Sequence, residues 1–160
     1  MAVLSEAAST PPELLAKPGF LTRRLYQAYV SAWVRTVDST LTGPQFAVLV
    51  AVNEHSGLDQ RSLAHAVSLD TSTMADVARR LEARGLICRV ADPTDGRRKL
   101  VSLTPEGAQV LEDVDRRARA LDELLLEGLD EDARTELLTT LQALSDRWAK
   151  LPSTDTTGDG

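Results

Sequence analysis

Residues Gln60 to Leu103 carry the clearest structural pattern in the chain, and they read QRSLAHAVSLDTSTMADVARRLEARGLICRVADPTDGRRKLVSL. Their apolar spacing predicts two short helices, the second over Met74 to Arg84, separated by the polar seam DTST at 70–73. Asp59 is expected to cap the first helix, and Asp70 with Thr71 the second. The inward face of the second helix is predicted from apolar residues at spacings of 3, 4 and 7, namely Met74, Val77, Ala78 and Leu81. Gly85 follows the second helix, as glycine commonly does just past a helix end. Two β-like segments, at 86–90 and 99–103, joined by a charged turn then predict a hairpin. Helix, tight turn, helix and an arginine-tipped ribbon together predict a winged helix-turn-helix.

Length and composition favour one compact domain with an extension used for oligomerisation. The chain has 160 residues, of which 42% are hydrophobic and 26% are charged, so a core can form without metals or disulfides. No run approaches the ~20 apolar residues that cross a bilayer, and the N-terminus lacks the pattern of a secretory signal. The single cysteine, Cys88, fits a reducing cytoplasm. We therefore expect a cytoplasmic protein with no membrane partner.

The charge is unevenly distributed along a chain whose net charge is −6. From Arg79 to Lys99, seven basic residues stand against three acidic ones, whereas from Thr104 to Lys150 six basic residues stand against twelve acidic ones. Opposite charge in adjacent segments suggests one face for phosphate and another held away from it. The alternative is that these charges only solvate helix faces.

Apolar helices are predicted on both sides of the motif. The helix from about Phe20 to Val37 is apolar on more than one side, which is typical of burial between layers or subunits. After the ribbon, a helix begins at Thr104 and a last one runs from Asp132 to Ala149. The last helix is expected to bury one side, formed by Leu137, Leu138, Leu141, Leu144 and Trp148.

The predicted fold class is mainly α with a small β-hairpin wing. Residues 41–103 form the winged helix-turn-helix, and residues 18–40 and 104–150 form dimerisation helices within one domain over 18–150. Residues 1–17 are expected to form a flexible N-terminal arm with at most a short helix, and residues 151–160 a disordered tail.

The residues of the motif are similar to those of a known family. DTSTM at 70–74, RLEARGL at 80–86, DPTDGRR at 92–98 and LTPEG at 103–107 strongly resemble the MarR family of bacterial transcriptional regulators. The resemblance extends from about Leu21 to Trp148. It implies a homodimer that binds a pseudo-palindrome in double-stranded DNA, usually represses nearby genes and is released by a small ligand.

The resemblance assigns DNA-binding roles to nine residues. Arg97 at the ribbon tip suits the minor groove, and Asp95 would hold Arg97 or fix the ribbon. Ser72 and Thr73 suit phosphate or base-edge contacts. The acid at Asp76 departs from the arginine of many relatives and leaves the preferred base step open. The other residues placed at the DNA, mainly for backbone phosphates, are Gln60, Arg61, Arg80 and Arg98. Arg80 or Arg84 could instead pair with Glu82 or Asp76 on the surface.

A ligand site is expected along the first long helix, which lines the pocket in the family. Arg23 shares a predicted face with Tyr26 and Trp33, and a cation beside an aromatic wall suits a benzoate-like carboxylate. Arg24 is the alternative cation, and Tyr29 completes the predicted pocket. These arginines could equally bind DNA phosphate or an acid of the partner subunit.

No pattern of catalytic residues, metal ligands or phosphate-binding glycines is found, so we expect neither an enzyme nor a cofactor. His65 is interpreted as a surface or packed residue. Cys88 could be a redox sensor, but burial as a small apolar side chain is the preferred interpretation. The main rival function is a helical, dimeric protein-interaction module that uses the winged fold without sequence-specific DNA binding.

Overall fold

The computed structural model describes residues 10–152, and these form seven helices and one two-stranded sheet. The helices are α1 (Pro12–Leu15), α2 (Pro18–Thr36), α3 (Gly43–Glu54), α4 (Gln60–Ala66), α5 (Thr71–Ala83), α6 (Pro105–Leu125) and α7 (Glu131–Ala149). The antiparallel strands are β1 (Ile87–Ala91) and β2 (Lys99–Leu103), with Ile87 opposite Leu103. The prediction of a mainly α fold with a β-hairpin wing is confirmed.

Side-chain caps begin the helices at the positions that the sequence indicated. Asp59 accepts a hydrogen bond from the Ser62 amide at 2.8 Å, and Asp70 accepts one from the Thr73 amide at the same distance. Thr42 forms a capping box with Gln45 at the start of α3. Gly85 has a φ of 70° after α5, in the left-handed region that favours glycine.

The chain forms two compact units, the first ending at Leu121 and the second beginning at Asp122. The first unit holds the core, in which α3, α4, α5 and the wing strands pack together. The predicted inward face of α5 is confirmed, because Met74, Val77, Ala78 and Leu81 are all buried. The core is completed by side chains such as Leu49, Leu63, Ile87, Val101 and Val114.

The second unit contains α7, on which no described side chain is buried. The predicted buried side is therefore wrong for a single chain: Leu137, Leu138, Leu141, Leu144 and Trp148 are all exposed. The exposed part of α2 is also apolar, since Leu25, Tyr26 and Val34 are each more than half exposed. Surfaces of this kind are usually covered in an oligomer.

The two predicted flexible ends are described only in part. Within the predicted arm, residues 10–17 include the short helix α1. Residues 1–9 of that arm and residues 153–160 of the predicted tail lie outside the described residues.

Candidate nucleic-acid interface and ligand cavity

The outer face of α5 presents small polar side chains at its beginning and arginines further on. Ser72 is exposed, and its hydroxyl has no hydrogen-bond partner in the described part of the chain. The Thr73 hydroxyl donates to Asp70 Oδ2 at 2.5 Å. This bond and the one from the Thr73 amide lower the pKa of Asp70. Because the Thr73 proton is engaged, Thr73 can accept a hydrogen bond from a base edge but Ser72 is the better donor to phosphate.

Further along α5, one acidic side chain forms an ion pair with an arginine, and a second arginine forms none. Asp76 and Arg79 form an ion pair at 2.7 Å, and the bond from Arg79 lowers the pKa of Asp76. Neither surface pairing anticipated for Arg80 or Arg84 occurs, because Glu82 binds Arg89 and Asp76 binds Arg79. Among residues 10–152, Arg80 forms no hydrogen bond or ion pair, so its guanidinium is available to a phosphate.

A groove of about 490 Å³ lies between α4, the beginning of α5 and the wing. Its lining includes four residues of the predicted DNA surface and the neighbouring Lys99: Gln60, Arg61, Arg97, Arg98 and Lys99. The guanidinium groups of Arg61 and Arg97 have no partner within the described residues and are exposed. The fold thus collects basic residues from two separate segments, α4 and the wing, on one surface, the electrostatic pattern expected for a protein that binds a nucleic-acid backbone.

The wing tip is ordered by its own aspartates. Asp95 Oδ1 accepts a hydrogen bond from the Arg97 amide at 3.1 Å. Asp92 Oδ1 accepts bonds from the Thr94 amide at 2.8 Å and the Thr94 hydroxyl at 2.7 Å. Asp95 therefore fixes the ribbon through the backbone of Arg97 and not through its guanidinium.

The root of the wing is held by ion pairs that the sequence did not reveal. Arg98 donates to Asp59 at 2.6 Å and lies 3.5 Å from Asp92. On β1, Arg89 binds Glu82 through Nε at 3.0 Å and also donates to Gln60 Oε1 at 3.3 Å. Gln60 and Arg98, both predicted at the DNA, thus contact the protein itself. Arg89 and Glu82 were missed, because nothing in the local pattern shows that β1 and α5 meet there.

A cavity of about 240 Å³ lies between the C-terminal half of α2 and the segment that leads into α3. Three predicted ligand residues line it, namely Tyr26, Tyr29 and Trp33, together with Asp38 and Leu41. Trp33 is buried, packs against Tyr29 and Phe46, and donates through Nε1 to the Leu41 carbonyl at 2.7 Å. The aromatic wall predicted from the sequence is therefore formed.

The predicted cations are not part of this cavity in the single chain. Arg23 donates to Gln27 at 3.0 Å and lies 5.2 Å above the Phe20 ring, while Arg24 is exposed. Both precede Tyr26 on α2, whereas the cavity forms where the end of α2 meets residues 38–44. The cavity therefore begins about one turn after Arg23, and a role of either arginine in ligand binding stays a prediction.

The loop after α2 connects this cavity with the end of α5. Asp38 Oδ1 accepts bonds from the Thr40 and Leu41 amides, both at 2.6 Å, and Asp38 Oδ2 lies 3.4 Å from Arg117. Burial alone would raise the pKa of Asp38, but these bonds and the Arg117 charge together lower it. Arg84, which follows the last residue of α5, donates to the Thr40 carbonyl at 3.0 Å.

The remaining chemical candidates lie apart from these sites. Cys88 is exposed, so the preferred interpretation of a buried thiol is wrong. Strand alternation explains this, because Ile87 faces the core and the next side chain faces outward. His65 is on the surface. Within residues 10–152, no cluster of metal-ligating side chains is present, and no helix is long and apolar enough to cross a bilayer.

Comparison with known proteins identifies the family. A model of the MarR family matches residues 41–99. The HTH-type transcriptional repressor NicR of Pseudomonas putida is 32% identical over 139 residues, covering 86% of this chain and 88% of NicR. The solved structure of the PcaV transcriptional regulator from Streptomyces coelicolor with its natural ligand is 38% identical. It has a TM-score of 0.82 over 88% of this chain and 98% of PcaV.

A solved structure of Bordetella bronchiseptica BpsR, whose DNA binding is regulated by 6-hydroxynicotinic acid, is 34% identical. Its TM-score is 0.73 over 80% of this chain and 98% of BpsR. The chain therefore belongs to the MarR family of transcriptional regulators, which are DNA-binding proteins and not enzymes.

Proposed function

We propose that the protein is a cytoplasmic, homodimeric repressor that binds a pseudo-palindromic operator near the genes it controls and is released by a small aromatic acid. The observation that carries this proposal is the groove between α4, the beginning of α5 and the wing, which is lined by Arg61 and Arg97, both without a side-chain partner among the described residues. The exposed Ser72 and Arg80 lie on α5, the helix whose beginning borders this groove. NicR, the similar protein from Pseudomonas putida, is itself a transcriptional repressor.

On the operator, α5 lies in the major groove with its beginning toward the base edges. Ser72 and Thr73 contact bases or phosphates there, and Arg61 and Arg80 bind phosphates on the flanking backbone. Arg97 enters the adjacent minor groove, where the negative potential favours a guanidinium. Asp76 can accept from a cytosine amino group through Oδ2 while Oδ1 stays bound to Arg79, and because its charge repels phosphate it contributes base preference more than affinity.

Dimerisation is supported by the apolar surface that a single chain leaves uncovered. The exposed leucines of α7 include Leu138 at 48% and Leu141 at 42% exposure, and Leu25 on α2 is 60% exposed. A homodimer with two-fold symmetry would cover such surfaces and place two copies of α5 one helical turn of DNA apart.

The ligand is proposed to be a single-ring carboxylic acid seated against Tyr26, Tyr29 and Trp33. The cavity of about 240 Å³ is below the ~300–1,000 Å³ of sites for drug-sized molecules, so one ring fits better than two. Arg23 supplies the cation for the carboxylate after releasing Gln27, with Arg24 as the alternative. The regulation of BpsR by 6-hydroxynicotinic acid supports this class of ligand.

Release follows from the loop that lines the cavity and also binds the end of α5. Asp38 and Leu41 line the cavity, and Thr40 between them accepts the hydrogen bond from Arg84. A ligand that displaces this loop therefore favours a second orientation of α5. In a dimer, this change alters the spacing of the two reading helices, so the operator is bound less tightly.

A gel-shift titration with the DNA upstream of the gene tests the function. We expect preferential binding to a duplex with an inverted repeat, with an affinity that falls steeply as salt rises. Protein that shows no preference among duplexes would favour the rival function, a dimeric protein-interaction module. Calorimetry with 6-hydroxynicotinic acid and 4-hydroxybenzoate on wild type, Arg23→Ala and Arg24→Ala tests the pocket. Equal heats in all three would remove both arginines from it.

A further inference from the structure

Two neighbouring arginines on the wing differ in whether their side chains bind other residues of the chain. The Arg97 side chain has no partner among the described residues. Arg98 donates to Asp59 Oδ2 through Nη2 at 2.6 Å and through Nε at 3.2 Å, and its Nη1 lies 3.5 Å from Asp92. Sequence alone cannot separate these two residues, because both are basic and both belong to the turn that the family resemblance places at DNA.

Asp59 serves two elements at once. Its Oδ1 caps α4 by accepting from the Ser62 amide at 2.8 Å, while its Oδ2 binds Arg98 on the wing. Close to this contact, the backbone of β2 is also hydrogen-bonded to the segment before α4. The Val101 amide donates to the Leu58 carbonyl at 3.0 Å, and the Gly57 amide donates to the Val101 carbonyl at 3.1 Å. Asp59 and the neighbouring backbone thus join the wing turn and β2 to the beginning of α4, while Arg89 joins β1 to Gln60 separately.

We propose that Arg98 does not bind DNA and is instead a positioning residue, which with Asp59 forms a latch that holds the wing at a fixed distance from α4 and α5. This inference rests on the proposed function, in which Arg97 and the α5 face contact one duplex. The latch fixes how far the Arg97 guanidinium lies from Ser72 and Arg61. It therefore determines whether both grooves can be engaged together.

The charges around Arg98 argue against a phosphate contact. Asp59 and Asp92 both lie within 4 Å of its guanidinium, and Asp95 is close enough to act on it electrostatically. Hydrogen bonds from Ser62 and Arg98 lower the pKa of Asp59, so this carboxylate is charged at neutral pH. A phosphate that approached Arg98 would therefore be repelled by three carboxylates that already offset its charge.

The test compares Asp59→Asn, Arg98→Ala and the double variant, with Arg61→Ala as the matched arginine from the same groove. Asparagine caps a helix as well as aspartate does, so Asp59→Asn removes the latch without removing the cap. If Arg98 bound phosphate, loss of the Asp59 charge would free it and tighten DNA binding. If Arg98 and Asp59 form a latch, Asp59→Asn and Arg98→Ala should instead each weaken operator binding, by about tenfold. The double variant should bind no more weakly than either single variant.

The salt dependence separates positioning from contact. Removing one phosphate contact from each subunit lowers the slope of log affinity against log salt by about 1.8 for a dimer, which we expect for Arg61→Ala. Arg98→Ala should keep the wild-type slope, and Arg98→Lys should recover part of the affinity. A reduced slope for Arg98→Ala, or tighter binding by Asp59→Asn, would overturn the latch.

Hydrogen exchange of the free protein gives a second answer that needs no DNA. Both latch variants should exchange the Gly57 and Val101 amides faster than wild type, whereas Arg61→Ala should leave them unchanged. If wild type binds no duplex, the proposed function fails, and the exchange rates still decide whether the latch exists. Unchanged exchange in both latch variants would refute it.

Discussion

Gly107 is a position where the structure predicts a large effect from a single methyl group. Gly107 is buried in the first turn of α6, and its amide donates to the Thr104 hydroxyl at 2.9 Å. That hydroxyl donates in turn to the Gly85 carbonyl at 2.6 Å, and the Thr104 amide donates to the Leu86 carbonyl at 3.1 Å. The beginning of α6 is thereby drawn onto the backbone that joins α5 to the wing.

The size of the effect follows from the distances. A Cβ on Gly107 would lie 1.8 Å from the Leu86 carbonyl oxygen and 2.8 Å from its carbon. Since real Cβ contacts are hardly ever shorter than 3.0 Å, the helix and the Leu86 backbone would have to separate by more than 1 Å. Overpacking of this kind costs about 1–3 kcal/mol. We place Gly107→Ala at about 2–3 kcal/mol, because backbone must move and the better helix propensity of alanine returns at most ~1 kcal/mol.

Thermal and urea unfolding at a fixed protein concentration measure this cost. Gly107→Ala should lower Tm by roughly 4–10 °C. The matched control is Gly96→Ala, where a Cβ meets nothing within 4 Å and the change should stay within about 0.5 kcal/mol. A Gly107→Ala protein as stable as wild type would refute the close approach of α6 to Leu86.

Three further predictions concern pH, assembly and release. The pKa of Asp38 is lowered from 3.8, so its charged form stabilises the folded protein. Wild type should therefore be more stable than Asp38→Asn above pH 3.8, by about 1 kcal/mol, and this difference should disappear as the pH falls further. Urea unfolding that shows the same difference at pH 3 and pH 7 would contradict this. Leu141→Glu should convert the dimer to monomer in sedimentation experiments without loss of helix signal, and a stable dimer would remove α7 from the interface. Arg84→Ala should bind operator with an affinity within about threefold of wild type, yet it should need roughly tenfold more 6-hydroxynicotinic acid for release. An unchanged ligand concentration at half-release would show that the Arg84–Thr40 contact does not couple the ligand cavity to α5.

Local rules were sufficient for the type and order of the elements. One boundary was wrong, because the helix predicted over Met74 to Arg84 begins at Thr71, within the predicted polar seam. The caps at Asp59 and Asp70, the glycine after α5 and the inward face of α5 depend on residues within a few positions of one another. These interactions can be recognised from spacing alone. The strand β2 was predicted at Lys99–Leu103, where the structure has it.

The errors arose where partners are distant in sequence. Arg98 and Asp59 are 39 residues apart, and no local pattern shows that the wing folds back onto the cap of α4. Cys88 was placed on the buried side of β1, although strand alternation faces it outward next to Ile87. The buried side predicted for α7 is exposed in one chain, because an amphipathic pattern does not say whether its partner belongs to the same molecule.

The most direct test of the central claim is the operator affinity of Arg97→Ala, measured by fluorescence anisotropy on the upstream inverted repeat and on a scrambled duplex. We expect that wild type prefers the repeat, and that Arg97→Ala remains dimeric but binds the repeat at least tenfold more weakly. Equal affinity of wild type for both duplexes, or undiminished binding by Arg97→Ala, would contradict the claim that α5 and the wing tip grip one DNA site.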